Sequence, residues 1–317
     1  MGRNVTPTIE GGLLVAITVI LGLISVYVPL IGMIVEFFCA VPMAVLTARQ
    51  GAGKGLSALI VTFMLMTILI GPLMALRLVL SFGICGVVLG ACVQKNFGAV
   101  KIFLTTLIVA SAAQVVSLAL LLAVMDVNFI EMQIEFVRES FAESFNAYEA
   151  MGVDKAQIDA AKAQVEPALQ TLAHLVPTLI LLASLMNSAA VWLTSKWIFP
   201  KVQLKLPEFP PFAQWKFPAI FMYTAAFGAI GIYWGLTRNW TPIYELALNV
   251  TVVSMLAGFV QGLSLMSCVF DRYNVSRFVR GLLYAIVLLN MLFVQLVAIT
   301  GLMDMLFDYR KRLFDGR

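Results

Sequence analysis

Residues 47–55, TARQGAGKG, combine glycines with a lysine, the residue types that hold phosphate in nucleotide-binding loops. Such a loop needs a glycine, four further residues, and then Gly-Lys followed by Ser or Thr. Relative to Lys54, this chain has Ala48 and Gly55 where the pattern needs glycine and a hydroxyl residue. No strand precedes the stretch, which lies between two long apolar runs. It therefore predicts a short connection whose glycines allow a tight reversal, with Arg49 and Lys54 as basic anchors at a membrane surface.

Glu36 and Arg77 are ionisable residues inside the apolar runs GMIVEFFCAVP and GPLMALRLVLSFG. Ionisable groups are costly in hydrocarbon and mark functional sites more often than neutral residues do. Each lies a few residues past a glycine at the outer end of its run, so helical rise places both roughly 6–9 Å below the membrane boundary. An ion pair between them predicts either a ligand-binding cavity open to the outside or a structural clamp between spans. A third interpretation is that Arg77 extends to the headgroups.

Other reactive residue types are sparse. Four cysteines lie in apolar segments without metal-ligand spacing, and there is one histidine, His174, so we predict no metal and no cofactor. The chain has no H-E-x-x-H or G-x-S-x-G motif and no pair of carboxylates on one inward helix face, so we predict that it is not an enzyme. Six amide side chains in or near apolar runs are expected to form interhelical hydrogen bonds: Gln114, Asn187, Asn249, Gln261, Asn290 and Gln295.

The elements that position these residues follow from the composition. Of the 317 residues, 61% are hydrophobic and 12% are charged, whereas soluble domains are about 25% charged. The apolar runs are continuous and long enough to cross a bilayer as helices, which satisfy their own backbone hydrogen bonds. The fold class is therefore predicted to be all-α, a polytopic transmembrane helix bundle of about 8–9 spans.

We predict a single integral membrane domain over residues 1–317. Residues 11–125 hold the first five spans, with a turn near Pro29, and residues 171–195 form the sixth. A Pro-rich cytoplasmic loop (196–218) follows. The remaining segments are an extracytoplasmic helical insertion at 126–166 and C-terminal spans with a basic tail at 217–317, the last apolar run being 281–303.

Charge predicts the orientation. If the N-terminus with Arg3 is cytoplasmic, 12 of the 21 Lys and Arg residues fall in it and in cytoplasmic loops, as the positive-inside rule requires. The location is then the bacterial cytoplasmic membrane, crossed several times. Nine simple spans would place the basic tail DYRKRLFDGR outside, against that rule, so we expect the tail at the cytoplasmic face.

The outer insertion is the most polar part of the chain. Residues 126–166 contain nine of the 17 acidic residues, which argues against nucleic-acid and anionic-lipid binding. Helical spacing of acidic and aromatic residues over 129–150 and a cap at Asp154 predict an amphipathic helical hairpin.

Small residues begin the first span. Gly12 and Ala16, in EGGLLVAIT, lie one turn apart and form a small-xxx-small pattern. This pattern favours close helix contact, either within the chain or with another subunit.

Several segments together resemble the YybS-like family of predicted bacterial membrane proteins. They include VPLIG, FFCAVPMAVLTARQGAGKG, IGPLMALRLVLSFGICGVVLGACVQK, the long acidic segment and GLMDMLFDYRKR. Two patterns stand out across nearly the whole chain. The first comprises Pro29, Pro42, Arg49 and Gly51, and the second comprises Gly301, Asp304, Asp308 and Arg310.

This family is in turn distantly similar to the S components of energy-coupling-factor transporters. The resemblance implies a six-span bundle that binds a solute near the outer face, with Glu36 and Arg77 on the ligand side. It also implies that Gly12 and Ala16 face an energising membrane subunit. We therefore expect a small-solute-binding or transport-associated subunit, with the lipid bilayer, a small molecule and an energising subunit as partners. The alternative is a scaffold or regulator that binds envelope proteins through the outer hairpin or the Pro-rich loop.

Overall fold

The computed structural model describes residues 7–125 and 129–314, and all regular elements within these ranges are helices. Arg3, used above for the orientation, lies outside them. The first part of the chain forms α1 (Pro7–Tyr27), α2 (Ile31–Glu36), α3 (Ala40–Gln50), α4 (Ala52–Ile70), α5 (Pro72–Leu78), a π-helical turn (Val79–Gly83), α6 (Ile84–Gln94) and α7 (Ala99–Met125).

The second part begins with α8 (Phe129–Ala150), α9 (Lys155–His174) and α10 (Val176–Ile198), followed by short 3₁₀ turns at Phe199–Val202 and Phe212–Gln214. It ends with α11 (Ile220–Thr237), α12 (Thr241–Arg272), α13 (Arg277–Leu289), α14 (Met291–Phe307) and α15 (Tyr309–Phe314).

Eight helical segments of the described chain are long and apolar enough to cross a membrane, which confirms a multi-pass helical protein. They are Pro7–Tyr27, Ile31–Gln50, Ala52–Ile70, Pro72–Gln94, Ala99–Val124, Val176–Val202, Ile220–Thr237 and Thr241–Arg272. The ninth expected span, 281–303, consists of two helices, α13 and α14, which are bent by 105° at Asn290, so the described chain has eight spans, or nine if the bent pair crosses as one. Asn290 is extended, and its side-chain oxygen accepts a hydrogen bond from the Leu292 amide, which starts a new helix.

The predicted insertion contains two consecutive helices, α8 and α9. That they pair as a hairpin on the outer side stays a prediction. The carboxylate of Asp154 accepts a hydrogen bond from the amide of Ala156 and caps α9. However, α9 extends to His174, and the apolar helix α10 begins only at Val176. The predicted start of the sixth span at residue 171 is therefore a few residues too early.

The chain divides into two compact units. Unit 1 comprises Met1–Ala142 and Leu179–Glu208, and unit 2 comprises Glu143–Thr178 and Phe209–Arg317. In unit 1, α3 is buried from Ala40 to Thr47 and packs backbone to backbone on α6. In unit 2, α11 and α12 form an antiparallel pair, since Thr224 bonds Ser254 while Gly235 packs on Tyr244. The prediction of one integral domain stays a prediction.

The connection between α3 and α4 is a single residue, Gly51. Its φ of +94° lies in the region that glycine adopts without strain, and its amide donates to the Thr47 carbonyl at 2.9 Å. This confirms a tight reversal within TARQGAGKG. Lys54 and the other two glycines of the stretch belong to the first turn of α4.

Candidate functional site

Glu36 and Arg77 form the expected ion pair. Arg77 Nη2 donates to Glu36 Oε1 at 2.8 Å, and both residues belong to unit 1. The Glu36 side chain is 21% exposed and that of Arg77 is 56% exposed, so the pair lies at the surface of the unit. The ligand-binding role of the pair stays a prediction.

Unit 1 contains a small cavity, and two of its lining residues follow Glu36 and Arg77 closely in the sequence. It is lined by residues from α1, α4, the end of α5, the π-helical turn and the segment before α3. Cys39 and Leu78, two of its lining residues, follow Glu36 and Arg77 by three positions and one position. Its volume of about 10 Å³ is near the minimum for one water molecule.

Two threonine hydroxyls contribute the polar part of the cavity wall. Thr18 Oγ1 donates to the Leu14 carbonyl and Thr62 Oγ1 donates to the Ala58 carbonyl, each at 2.9 Å. Because each hydroxyl uses its proton within its own helix, the oxygen lone pairs remain as acceptors toward the cavity.

The π-helical turn Val79–Gly83 forms another part of the wall. Single π turns interrupt the regular backbone bonding and occur frequently at functional sites. Here the Ser81 carbonyl accepts a hydrogen bond from Asn187 Nδ2 of α10 at 2.5 Å. This bond confirms the interhelical role predicted for Asn187.

Gly12 and Ala16 lie on the exposed face of α1. A Cβ atom added at Gly12 would meet no atom within 4 Å. Neither residue is therefore buried in a helix contact within the described chain. Contact with another subunit stays a prediction.

The first family pattern joins three parts of unit 1. Arg49 forms an ion pair with Glu10 of α1, and its Nη2 donates to the Val202 carbonyl at 2.6 Å. Pro29 lies in the turn between α1 and α2, and Pro42 is buried in the first turn of α3. Arg49 is thus more than the basic topology anchor expected from the sequence, because it links the beginning of α1 to the end of the α10 segment.

The second pattern forms a buried polar cluster in unit 2, which we call the Asp304 cluster: Gln261, Ser264, Asp304 and Arg310. Gly301 permits it, because α14 crosses α12 so closely that a Cβ at Gly301 would lie 1.9 Å from the Gly258 carbonyl oxygen. This approach places Asp304 beside Gln261, whose Nε2 donates to Asp304 Oδ2 at 2.5 Å.

Asp304 is buried, with a side chain that is 1% exposed. Its Oδ2 also accepts from Arg310 Nε at 3.3 Å, while Oδ1 has no hydrogen-bond partner among the described residues. A buried carboxylate is costly unless it is paired and hydrogen-bonded. The Arg310 guanidinium therefore pairs with the Asp304 carboxylate, and the neutral Gln261 amide adds a hydrogen bond, where the apolar surroundings of α12 and α14 provide neither.

The cluster also fixes the end of the Pro-rich loop. Arg310 donates to the Ala213 carbonyl at 2.6 Å and to Ser264 Oγ at 3.0 Å. Ser264 Oγ in turn donates to the Phe212 carbonyl at 2.6 Å, and the Phe217 amide donates to Gln261 Oε1 at 3.0 Å. The sequence pattern indicated Asp304 and Arg310, but nothing in it indicated that their partners lie in the loop.

Asp308 adds a second link between tail and loop. It ends α14 with a φ of +49° and forms ion pairs with Lys216 of the loop and Lys311 of the tail. The hydrogen bond from Lys216 is the main reason why the pKa of the Asp308 carboxyl lies below its usual value.

These links settle how α13 and α14 run. Since α11 starts at the loop and α12 is antiparallel to it, the end of α12 lies on the loop side of unit 2. The tail after α14 contacts the same loop. The α13–α14 pair therefore begins and ends on the loop side of unit 2. The position of the basic tail at the cytoplasmic face stays a prediction.

His174, the single histidine of the chain, belongs to a polar group in unit 2. Its Nδ1 lies 2.8 Å from Glu245 Oε1, and its carbonyl accepts from Asn249 Nδ2 at 2.7 Å. Asn249 Oδ1 also accepts from the amide and the hydroxyl of Thr178. The group ties the junction of α9 and α10 to α12. Among the described residues, no group of three or more His, Cys, Asp or Glu side chains is arranged to hold a metal ion.

Comparisons with known proteins agree with the resemblance drawn from the two patterns. A family profile described as "Predicted membrane protein (DUF2232)" matches residues 16–305. The chain is 23% identical over 313 residues to the uncharacterized protein YybS of Bacillus subtilis (strain 168), covering 98% of this chain and 99% of that protein. No solved structure matches the chain. The similarity to S components stays a prediction.

Proposed function

This chain belongs to the DUF2232 family of predicted membrane proteins, and from that premise we propose that it is a small-solute-binding or transport-associated subunit. The observation that carries the proposal is the cavity in unit 1, with the Glu36–Arg77 ion pair next to it along the chain. Ligand sites combine an apolar wall with a few polar groups, and this cavity has that composition, but its volume of about 10 Å³ is far below the roughly 300–1,000 Å³ of a ligand pocket, so the proposal requires the cavity to open.

The wall chemistry defines the class of solute. Thr18 and Thr62 present acceptor oxygens, so the solute carries an O–H or N–H donor. Leu59, Met66 and Leu78 present apolar surface. A charged or strongly dipolar end of the solute would contact Glu36 or Arg77 after their ion pair opens. We propose a small, partly apolar metabolite with a hydroxyl, amine or amide group.

The cavity is too small for a solute in this conformation, because its volume of about 10 Å³ is near the minimum for one water molecule. Met66 is the residue that we propose to move, since its unbranched side chain adopts many shapes at low cost. The π-helical turn beside it provides a segment whose hydrogen bonds can rearrange. Solute binding thus couples to opening of the Glu36–Arg77 pair.

The test is a thermal-shift screen of the purified protein against small hydroxyl, amine and amide metabolites. One of them should raise the unfolding temperature. Thr62→Val should weaken its binding by about tenfold, the contribution of one hydrogen bond. Thr67→Val is the matched control, because Thr67 on the same helix makes the same i−4 bond at 2.8 Å and does not line the cavity.

Two further variants separate the parts of the proposal. Gly22→Ala should block binding, since its Cβ would lie 1.9 Å from Met66 Cε and push that side chain into the cavity. Glu36→Gln should change binding of charged solutes only. A screen without any stabilising compound, or equal effects of the two threonine variants, would contradict the proposal.

The α1 face with Gly12 and Ala16 supports a docking role toward an energising membrane subunit. Both residues are exposed, and small residues allow close approach of a partner helix. Gly12→Leu should reduce co-purification of such a subunit without changing the unfolding temperature. Leu13→Met, at a neighbouring exposed position, is the control. Equal recovery with both variants would remove this part of the proposal.

A second candidate function is a scaffold that binds an envelope protein through the outer hairpin or the Pro-rich loop. The observation that favours the loop is its fixed shape: Trp215 packs on Phe209 and Phe212, and the Asp304 cluster holds the backbone. A photo-crosslinker at exposed Gln214 should then capture one specific protein, and one at Arg238 should not. Identical captures from both positions would argue against it.

A further inference from the structure

Helix α13 exposes a continuous apolar arc. Phe278 is 81% exposed and Leu289 is 87% exposed, and Leu282 and Ile286 between them are also exposed. Their spacing of three or four residues places them on one side of the helix. Arg280, Tyr284 and Val287 lie on the other side, which faces the protein. Apolar surface of this extent is unfavourable in water, so we expect lipid or protein to cover the arc in the native environment.

Contacts keep α13 at the end of α12. Arg280 forms an ion pair with Asp271 and donates to the carbonyls of Phe270 and Val275 at 3.0 and 2.8 Å. The rings of Phe270 and Tyr284 meet edge to face at 5.5 Å. The first two turns of α13 are therefore fixed at the point where α12 leaves its span.

Length and direction exclude a crossing by α13 alone. Its 13 residues extend about 20 Å, whereas a hydrocarbon core is about 30 Å thick. The chain then bends by 105° into α14, and the tail after α14 returns to the Pro-rich loop.

Charge indicates which surface covers the arc. Residues 277–289 contain two arginines and no acidic residue. Arg280 is bound to Asp271, whereas Arg277 is exposed and makes no hydrogen bond or ion pair within the described residues. Arg277 lies at the edge of the apolar arc, in the first turn. Basic residues beside an apolar helix face suit the headgroup region of an anionic leaflet.

We propose that α13 is an interfacial helix whose apolar arc lies in the acyl boundary of the leaflet on the loop side, with Arg277 on the phosphate of an anionic phospholipid. A bimane label at Phe278→Cys and one at Leu289→Cys should both be quenched by spin-labelled phospholipids in reconstituted vesicles. Quenching by spin-labelled phosphatidylglycerol should exceed that by spin-labelled phosphatidylcholine.

The charge contact is tested in the Phe278→Cys background. Arg277→Gln should lower the preference for phosphatidylglycerol by about fivefold, the effect of one basic residue at an anionic surface. Arg238→Gln, which removes an exposed arginine at the far end of α11, should leave it unchanged. Equal preferences in the two variants would overturn the role of Arg277.

Three results would overturn the interfacial position itself. They are labels that no phospholipid quenches, a Leu289→Cys label reached by an impermeant quencher from the side opposite to Gln214, and disulfide-linked dimers through Phe278→Cys. The second result would mean a crossing helix, and the third would mean that a second copy covers the arc.

Discussion

Asp304 is a carboxylate that bulk solvent does not reach; Arg310 is its ion-pair partner, and Gln261 donates a hydrogen bond to it. Removal of one partner of a buried pair leaves the other charge unpaired, which costs more than the pair itself contributes. This asymmetry makes the cluster testable by a double-mutant cycle.

We expect Arg310→Met to lower the free energy of unfolding by about 3–5 kcal/mol, because Asp304 stays buried without its cation. Adding Asp304→Asn to that variant should restore part of the loss. Denaturant unfolding in detergent micelles measures both. Lys311→Met is the control, since the Lys311 side chain is 77% exposed and a surface pair contributes less than about 1 kcal/mol. Strictly additive effects of the Asp304 and Arg310 substitutions would contradict the coupling.

For individual residues, the sequence predicted a contact best where helical rise alone was enough to place both partners at the same depth. The Glu36–Arg77 pair followed from similar depths below the predicted span ends, roughly 6–9 Å by helical rise. The partners of His174 did not, because Glu245 lies 71 residues away and reaches it only through the packing of α12. Gln261 was expected to bond another helix, but its partner Asp304 depended on a helix crossing that the sequence did not show.

The contact between α12 and α14 is an element-scale feature that depends on one glycine. Gly301→Ala would place Cβ 1.9 Å from the Gly258 oxygen and 2.4 Å from the Gly262 amide nitrogen. We expect a loss of about 1–3 kcal/mol or more, since backbone atoms cannot move aside as a flexible side chain can.

The matched variant for this test is Gly281→Ala in α13, where an added Cβ meets nothing within 4 Å. It should be neutral or stabilising by up to about 1 kcal/mol, the gain in helix propensity. The measurement is the melting temperature of the Gly301→Ala and Gly281→Ala variants in the same detergent. Similar melting temperatures for the two would refute the close crossing.

Leu30 forms a strained turn between α1 and α2. Its φ and ψ of 64° and −57° are those of a γ-turn with positive φ, and the Pro29 carbonyl accepts from the Ile31 amide at 2.7 Å. Leu30→Gly should raise the free energy of unfolding by about 1 kcal/mol, because glycine adopts this conformation without strain. Leu13→Gly in the exposed face of α1 should lower it by a similar amount. A lower melting temperature for Leu30→Gly would contradict the strained turn.

Element boundaries were predictable where glycine or proline interrupts an apolar run, as at Gly51 and Gly71. The break at Asn290 was not, because the residues around it are apolar and a single amide inside such a run is equally typical of an interhelical hydrogen bond. Only the packing of α14 on α12 distinguishes a new helix start from a continuous span.

On the scale of the whole molecule, hydropathy predicted about 8–9 spans, and the described residues form eight helical segments that are long and apolar enough to cross, but hydropathy did not indicate the bend between α13 and α14. Composition determines how many apolar helices exist, because few other backbone conformations satisfy all their hydrogen bonds in lipid. It does not determine whether a run of two short helices crosses, because that depends on contacts of the tail with the loop.

The topology prediction follows. Single cysteines at Gln214, Lys311 and Lys54 should react with an impermeant maleimide from the cytoplasmic side, and one at Arg238 should react from the opposite side. The four native cysteines are buried and serve as background. Labelling of Lys311→Cys from the Arg238 side would mean that the bent pair crosses as a ninth span, and it would contradict a pair that begins and ends on the loop side.

The bond between Arg310 and the Ala213 carbonyl joins residues 97 positions apart, and this separation fixes an order of events on the ribosome. The loop is synthesised long before the guanidinium group that holds it, while domains otherwise form as they emerge. Ser264 and Gln261 can reach Phe212 and Phe217 of the loop during that interval, whereas their contacts with Arg310 and Asp304 form only afterwards. The loop therefore acquires its final shape late in translation, after the eighth span has already been made.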